Sequence, residues 1–277
     1  MRPILCVHPH VLDLTTGRVK YMQVDATQQH RNTAGVFIVF EGGDGTGKST
    51  QSRLLAEHLR SAGYRVETTR EPGGTAVSEA LRGIVLDPAF APMDPVTEAL
   101  IYAAARSAHV NDRIIPWLEA GAVVISDRFL DSSLAYQGAG RGLGLETVAS
   151  INAPAVRGLE PDLTIVLTMP VADSRARQGQ RGTSDRIEAE PDEFHGTLME
   201  EFERIAALDP QRYLVIDARA SIEDIAQQIN AAVAPLIKRV PLTAQTEQAE
   251  QAPAARPAAG STSNPAPDAV TDAGGSA

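Results

Sequence analysis

Residues 36–49 read VFIVFEGGDGTGKS, and this stretch decides the fold. It begins with an uninterrupted apolar, β-rich run, as expected of a strand that is buried on both faces of a parallel sheet. The run leads into Gly42–Ser49, which matches the pattern G-x-x-x-x-G-K-S/T in full. A helical pattern follows directly. A buried strand, a glycine-rich turn and a helix in this order predict a phosphate-binding loop.

The predicted loop has the chemistry to bind the phosphates of ATP together with Mg²⁺. Glycines let backbone N–H groups wrap a phosphate, and the following helix offers its positive N-terminal end. Lys48 is expected to reach the β- and γ-phosphates, and the Ser49 hydroxyl to ligate Mg²⁺. The predicted ATP-binding residues are Gly42, Gly43, Asp44, Gly45, Thr46, Gly47, Lys48, Ser49 and Thr50.

Asp44 is an unusual member of such a loop, because its carboxylate is repelled by the ligand. The repulsion is about 1 kcal/mol at 4 Å in water and about 4 kcal/mol at an effective dielectric of 20. We therefore expect a compensating partner for Asp44, such as a sugar hydroxyl or a magnesium-bound water. The alternative is a turn residue that satisfies its own loop.

The rest of the central region alternates strands with helices. Further β-rich runs cover 66–69, 123–126, 163–167 and 213–216. Helical patterns cover 49–62, 76–86, 95–119, 145–157, 171–178, 192–207 and 222–237. This alternation predicts an α/β fold: a doubly wound, parallel, five-stranded sheet with helices on both faces and a ligand crevice at the carboxyl ends of the strands.

Composition excludes several classes of protein. The net charge of −10 argues against a general nucleic-acid binder, whose affinity rests on neutralising phosphates. No apolar run reaches the roughly 18–20 residues that span a bilayer, so we expect no membrane segment. The single cysteine, Cys6, allows no intrachain disulfide and favours the cytoplasm. Of the 25 basic residues only three are lysines, and arginine suits bidentate contacts with phosphate.

The two ends of the chain differ from the central domain, which we place at 35–239. Residues 1–34 are polar and weakly periodic, so they are an extension of unknown structure, or the true start lies nearer Val36. Cys6, His8 and His10 lie close together, but no second cluster completes a tetrahedral metal site. Residues 240–277 are rich in Ala, Pro and Gln and predict a disordered tail.

Two further segments identify a family. TREPGGT (69–75) follows the second strand, and DRFLDSSLAYQG (127–138) follows the third. Together with the phosphate-binding loop they resemble the bacterial thymidylate kinases, over about residues 36–237. The resemblance implies transfer of the γ-phosphoryl group of MgATP to dTMP, giving dTDP and ADP, a step of dTTP biosynthesis. It also implies a homodimer, formed through helices such as 95–119.

The resemblance assigns roles in the acceptor site. Arg128 is expected to clamp the acceptor phosphate, Arg106 to read the thymine edge, and Tyr102 to stack on the base. For Tyr102 and Arg106 the alternative is a core tyrosine and a surface arginine. The other expected substrate contacts are Arg70, Glu71, Arg82, Ser133, Tyr136 and Gln137. Tyr136 matches an aromatic that crowds the sugar 2′ position, and Arg82 alternatively lies on a solvated helix face.

A lid is expected at about 178–190, since this arginine-bearing, glycine-containing segment resembles the mobile lid of the family. The phosphate-binding loop has no arginine at 43–46, so the resemblance implies that a lid arginine acts on the transferring phosphate. The candidates are Arg177, Arg181 and Arg186. A plain charged loop is the alternative. The catalytic set is completed by Lys48, Arg128 and Asp44, and the metal ligands by Ser49 and Asp127.

Two other functions remain open at this stage. The nearer alternative is another nucleotide or deoxynucleoside kinase, acting on dUMP, CMP or a nucleoside. The more distant alternative is a nucleotide-dependent switch ATPase, which would need neither the 69–75 nor the 127–138 segment.

Overall fold

The computed structural model describes residues 33–178 and 185–243. Its strands are β1 (Val36–Gly42), β2 (Val66–Arg70), β3 (Val123–Asp127), β4 (Leu163–Thr168) and β5 (Tyr213–Asp217). They form one parallel sheet in the order β2-β3-β1-β4-β5. The predicted fold class is therefore confirmed, with each strand within two residues of its predicted bounds.

Helices connect the strands in the predicted alternation. They are α1 (Lys48–Ser61), α2 (Ala76–Leu86), α3 (Pro95–His109), α4 (Ile115–Glu119), α5 (Leu130–Ser133), α6 (Leu145–Val156), α7 (Val171–Gln178), α8 (Asp192–Leu208) and α9 (Ile222–Ile237). Within the described residues, no helix is both long enough and apolar enough to cross a membrane.

Both faces of the sheet are covered, which explains the uninterrupted apolar run of β1. Ile38 and Phe40 point to the face packed by Leu55 of α1 and Ile229 of α9. Phe37 and Val39 point to the other face, where α4 and α6 pack. Because β1 is central, its carboxyl end and that of β3 lie side by side, with Phe40 opposite Asp127. The phosphate-binding loop and the 127–138 segment therefore start at one edge.

Two helical regions differ from the prediction. The expected helix at 95–119 is α3 and α4 joined by a π-helical segment, Val110–Ile114. Pro116 has no N–H to continue the α-helical bonding, and the wider π turn relieves the clash of its ring with the preceding turn. Residues Leu130–Gly140 form α5 and a second π segment that the prediction left without an element. Its serines and glycines weaken the helical signal.

The packed domain extends slightly past 239. Val240 is buried in the core, and the backbone of Leu242 pairs with that of Tyr64 as an isolated antiparallel β-bridge. Residues 1–32 and 244–277, which hold nearly all of the predicted extension and tail, lie outside the described residues, as do 179–184 of the predicted lid.

Candidate active site

The phosphate-binding loop takes a conformation that only glycine supplies at two positions. Gly42 has φ +126°, and a Cβ there would lie 2.2 Å from the carbonyl oxygen of Leu167 in the neighbouring strand. Gly47, with φ +97°, caps the N-terminus of α1 without a side-chain bond. Because glycine has no side chain, no side-chain cap occupies this end of α1, which suits anion binding by the N–H groups there.

Lys48 is folded back into this loop. Its Nζ donates to the carbonyl oxygens of Gly42 at 3.1 Å and Gly43 at 2.7 Å. The side chain is 6% exposed, and burial, together with the nearby positive charge of Arg128, lowers the pKa of Lys48. An ammonium held at the mouth of the loop is placed to meet a phosphate that enters it.

Arg128 connects the loop to the segment after β3. Its Nη1 donates to the Gly42 carbonyl at 3.0 Å and to Ser132 Oγ at 3.1 Å, and its Nη2 pairs with Asp44. The guanidinium lies 5.2 Å from the centroid of the Tyr136 ring, a cation–π distance. One side chain thus contacts the predicted donor loop and the predicted acceptor segment together.

Asp44 finds its compensating partner within the chain. Burial by itself would raise the pKa of Asp44, but the charges of Arg128 and Lys48 outweigh burial and hold that pKa below its ordinary value. Lys48 Nζ lies 3.9 Å from the carboxylate, and the Tyr136 hydroxyl donates to it at 3.4 Å. The Asp44 carboxylate is therefore ionised at neutral pH and fixes the direction of the Arg128 guanidinium.

The two predicted metal ligands are in contact. Ser49 Oγ donates to Asp127 Oδ2 at 2.8 Å, beside the first turn of α1. Within the part of the chain that the structure describes, no three His, Cys, Asp or Glu residues form a complete metal cage. Mg²⁺ prefers oxygen ligands and is often held by one or two side chains together with substrate phosphates. The Ser49–Asp127 pair fits that requirement.

Beside Arg128 opens a pocket whose empty space, including its mouth, is about 620 Å³. Nine of the residues predicted from sequence line it: Asp44, Glu71, Arg82, Tyr102, Arg106, Arg128, Ser133, Tyr136 and Gln137. Arg82 also donates to the Pro72 carbonyl at 2.9 Å, so it packs on the pocket wall. The structure therefore brings together elements that are far apart in sequence.

Arg106 is held rigidly at the inner wall of this pocket. Its guanidinium is 2% exposed and donates to Glu71 at 2.7 Å, to Ser133 Oγ at 3.0 Å and to the Phe129 carbonyl at 2.9 Å. It also contacts Asn152 of α6. Four of its five N–H groups are thereby used, which leaves one for a ligand.

Sequence reasoning missed the support behind Arg106. His109 Nδ1 lies 3.0 Å from Glu71, and His109 Nε2 lies 2.7 Å from Thr69 Oγ1. Because Glu71 binds Arg106 with its other oxygen, His109 fixes the carboxylate that fixes the arginine. His109 follows Arg106 by three residues and so lies on the same helix face, which is the signal that would have indicated it.

Tyr102 and Gln137 line the pocket, and both lie near the buried carboxylate of Glu98. Tyr102 precedes Arg106 by one helical turn, and burial, followed by the charge of Glu98, raises the pKa of its phenol. Gln137 Nε2 donates to Glu98 at 2.9 Å. The Tyr136 ring packs edge-on against Phe194 and Phe202 of α8. Burial likewise raises the pKa of the Tyr136 phenol, so both tyrosines are neutral at ordinary pH.

Three of the predicted arginines have their guanidinium groups bound to other residues of the chain. Arg70 pairs with Glu79 at 2.9 Å and is 53% exposed, outside the pocket lining. Arg186 binds the fully buried Glu98 at 2.7 Å and the Val85 carbonyl at 2.9 Å. Arg177 donates to the Ala218 carbonyl at 3.1 Å. Arg181 lies outside the described residues.

Comparison with known proteins indicates the family of this chain. The family model described as thymidylate kinase matches residues 40–229. A thymidylate kinase of Exiguobacterium sibiricum is 43% identical over 205 residues, covering 74% of this chain and 97% of the relative. One of Pelotomaculum thermopropionicum is 50% identical over 185 residues, covering 66% and 86%. A crystal structure of thymidylate kinase from Ehrlichia chaffeensis superimposes with a TM-score of 0.57 at 31% identity, covering 72% of this chain and 98% of that one.

Proposed function

The chain belongs to the thymidylate kinase family, with ATP as phosphate donor and dTMP as acceptor, and we propose that it performs this transfer at the junction between the loop at 42–49 and the pocket. The assignment of the site rests on the position of Arg128 between the loop and the pocket. Its guanidinium touches the Gly42 carbonyl of the loop and lines the pocket. A donor in the loop and an acceptor in the pocket would therefore meet at one positive charge.

On the donor side, the loop binds the polyphosphate through backbone N–H groups and Lys48. When phosphate enters, Nζ exchanges the two loop carbonyls for phosphate oxygens and follows the charge of the transferring group. Ser49 and Asp127 would hold Mg²⁺, which neutralises charge on the phosphates when it is bound. Asp127, at the end of β3, also orients a metal-bound water or the neighbouring Arg128.

On the acceptor side, the chain positions dTMP and needs no general base. A nucleotide phosphate has a second pKa near about 6, so it is already largely anionic at neutral pH. We propose that Arg128 binds this phosphate and that Arg106 donates its remaining N–H to the thymine edge, over which Tyr102 stacks. Ser133 and Gln137 act around the nucleoside, and Tyr136 crowds the 2′ position. Glu71 and Arg82 shape the wall.

A lid charge on the transferring phosphate remains part of the proposal. Arg186 pairs with the Glu98 carboxylate and donates to the Val85 carbonyl, and its neighbours Asp185 and Ile187 line the pocket. We therefore assign the lid role to Arg177 or Arg181, and to Arg186 the task of seating the lid base. Closure would expel water from the transferring group.

The test of the function is a panel of acceptors with purified protein and ATP. We expect dTDP from dTMP, much slower conversion of dUMP, CMP and thymidine, and loss of turnover when EDTA removes Mg²⁺. A preference for CMP would replace this reading with another nucleotide kinase. ATP hydrolysis that ignores dTMP would indicate a switch ATPase.

We also propose that the chain forms a homodimer through α2 and α3. These two helices pack together and carry exposed large apolar side chains: Val77 (57%), Ile84 (41%), Val96 (42%) and Leu100 (53%). Phe90, in the connection between them, is 51% exposed. Large apolar side chains exposed on two helices that pack together favour a protein–protein contact. We further propose that the enzyme works in the cytoplasm, because a chain with a single cysteine forms no intrachain disulfide and suits a reducing compartment.

Leu100→Glu is expected to convert the dimer to a monomer, because it places a charge in the middle of the proposed contact. Light scattering coupled to size-exclusion chromatography would measure the mass. Leu208→Glu is the matched control, since Leu208 is an exposed leucine (40%) at the end of α8. A wild-type protein that is monomeric at micromolar concentration would contradict the proposal.

A further inference from the structure

Glu41 is a fully buried carboxylate near the carboxyl end of β1, and the transfer mechanism gives it no role. It is 0% exposed. Its Oε1 accepts from the backbone N–H of Phe129 at 2.8 Å and of Ser132 at 3.1 Å, and its Oε2 accepts from Ser132 Oγ at 2.6 Å. All three bonds come from the turn that carries Arg128.

That turn has a backbone that requires restraint. Arg128 has φ +76°, a left-handed conformation that is uncommon for a residue with a side chain. Three bonds hold it. Arg128 N–H donates to the Phe40 carbonyl at 2.8 Å, Ser126 Oγ donates to the Arg128 carbonyl at 2.8 Å, and the next N–H, from Phe129, reaches Glu41. Such conformations persist where the surroundings over-determine them, frequently at functional sites.

The Ser132 hydroxyl extends this restraint to the guanidinium. The Ser132 oxygen accepts a hydrogen bond from Arg128 Nη1 at 3.1 Å, and the same hydroxyl donates a hydrogen bond to Glu41 Oε2. The carboxylate therefore sets the direction of the hydroxyl, which presents a lone pair to the arginine. Exchanging the carboxylate for an amide reverses the polarity of this relay, because an amide N–H donates to the hydroxyl.

Burying this carboxylate is unfavourable, so the fold alone does not explain it. Burial, with the charge of Asp131, raises the pKa of Glu41, whereas the charge of Arg128 and the hydrogen bonds from Ser132 and the Phe129 N–H act in the opposite direction and favour the ionised carboxylate. Among the described residues, no cation forms an ion pair with Glu41. Arg128 reaches it only through the intervening hydroxyl.

We propose that Glu41 is the positioning residue of the acceptor-phosphate clamp. It touches neither nucleotide. Its carboxylate fixes the 128–132 turn and, through Ser132, aims Arg128, so that the strand leading to the donor loop and the turn holding the acceptor phosphate form one rigid unit. This inference rests on the proposed function, since it assumes that Arg128 binds the dTMP phosphate.

The first test is Glu41→Gln, which keeps size and the two backbone acceptances but reverses the relay to Ser132. We expect kcat for dTDP formation to fall by roughly ten- to a hundredfold, as for a misplaced catalytic group. The KM for dTMP should rise, while the affinity for ATP, measured by equilibrium binding, stays within about twofold. Glu201→Gln is the control, because Glu201 is a 9% exposed carboxylate that pairs with Arg204. Its kinetic constants should remain those of wild type.

A second variant separates positioning from folding. Ser132→Ala leaves the Phe129 and Ser132 N–H bonds to Glu41 and removes only the bridging hydroxyl. We expect kcat to fall for Ser132→Ala too, but by less than for Glu41→Gln. The fold-loss in kcat of the double variant should be smaller than the product of the two single fold-losses, because both substitutions act through one hydroxyl. Should Glu41→Gln fail to fold by circular dichroism, Ser132→Ala alone carries the test.

Three results would overturn the inference. The first is a folded Glu41→Gln protein with wild-type kcat and KM. The second is a Ser132→Ala protein with both constants unchanged. The third is a double variant whose fold-losses in kcat multiply. Wild-type protein in the same assay distinguishes the cases: if it makes dTDP and the variants match it, only the positioning role fails, whereas a wild type that leaves dTMP unconverted removes the proposed function as well.

Discussion

Arg128→Ala is expected to lower kcat for dTDP formation by about a thousandfold, the scale on which an arginine acts in phosphoryl transfer. The variant loses the charge that joins donor and acceptor, and it leaves the carboxylate of Asp44 without its closest cation. The KM for dTMP should rise as well, while ATP affinity changes little, because Lys48 and the loop remain. Steady-state kinetics and equilibrium ATP binding would measure the two effects separately.

Arg128→Lys distinguishes charge from geometry. The guanidinium makes three contacts through two nitrogens, to Gly42, Ser132 and Asp44, which a single ammonium cannot reproduce. We expect the lysine variant to recover only a small part of the lost rate. Arg53→Ala is the control, since Arg53 is 59% exposed and pairs with Glu57 on the surface of α1. Full activity of Arg128→Lys would show that positive charge alone suffices.

Lys48→Ala is expected to reduce kcat by about a hundred- to a thousandfold, because one preorganised donor to the developing charge is worth about this much. The affinity for ATP should also fall, in contrast to Arg128→Ala, since Nζ faces the loop in which the polyphosphate binds. The pair of variants therefore separates the donor side from the acceptor side.

Lys238→Ala controls for the loss of a lysine, because Lys238 is exposed at the C-terminal end of α9. Chemical unfolding of both variants would check that removing the buried Lys48 leaves the domain folded. Near wild-type turnover in Lys48→Ala would contradict the mechanism.

Local sequence was enough to predict the sheet and to propose the donor site. The strand at 36–40, the glycines and Lys48 are contiguous, so their hydrophobic pattern and backbone requirements can be read without knowing the rest of the fold. The family motifs placed Glu71, Arg106 and Ser133, and all three line the pocket. Prediction was weaker at 130–140, where a helix with a π segment contains serines and glycines that local propensity disfavours.

Contacts between segments that are distant in the chain could not be predicted from the sequence. Asp44 required a partner, but nothing local indicated that it lies 84 residues away in Arg128. Likewise Glu41 reaches Ser132, 91 residues further on. The lid arginines show the opposite case: Arg186 has the charge and the approximate position of a catalytic group, yet its guanidinium is occupied by the buried Glu98.

The sequence by itself determined the fold class, the phosphate-binding loop and the family, because each follows from residues adjacent in the chain. Only the tertiary structure decided which charge meets which. The order β2-β3-β1 places the ends of β1 and β3 side by side, and this juxtaposition brings Glu41 and Asp44 to the turn at 128–132. The physical reason is that ion pairing and burial depend on distances through space, which are set by strand order and register and leave no local pattern in the sequence.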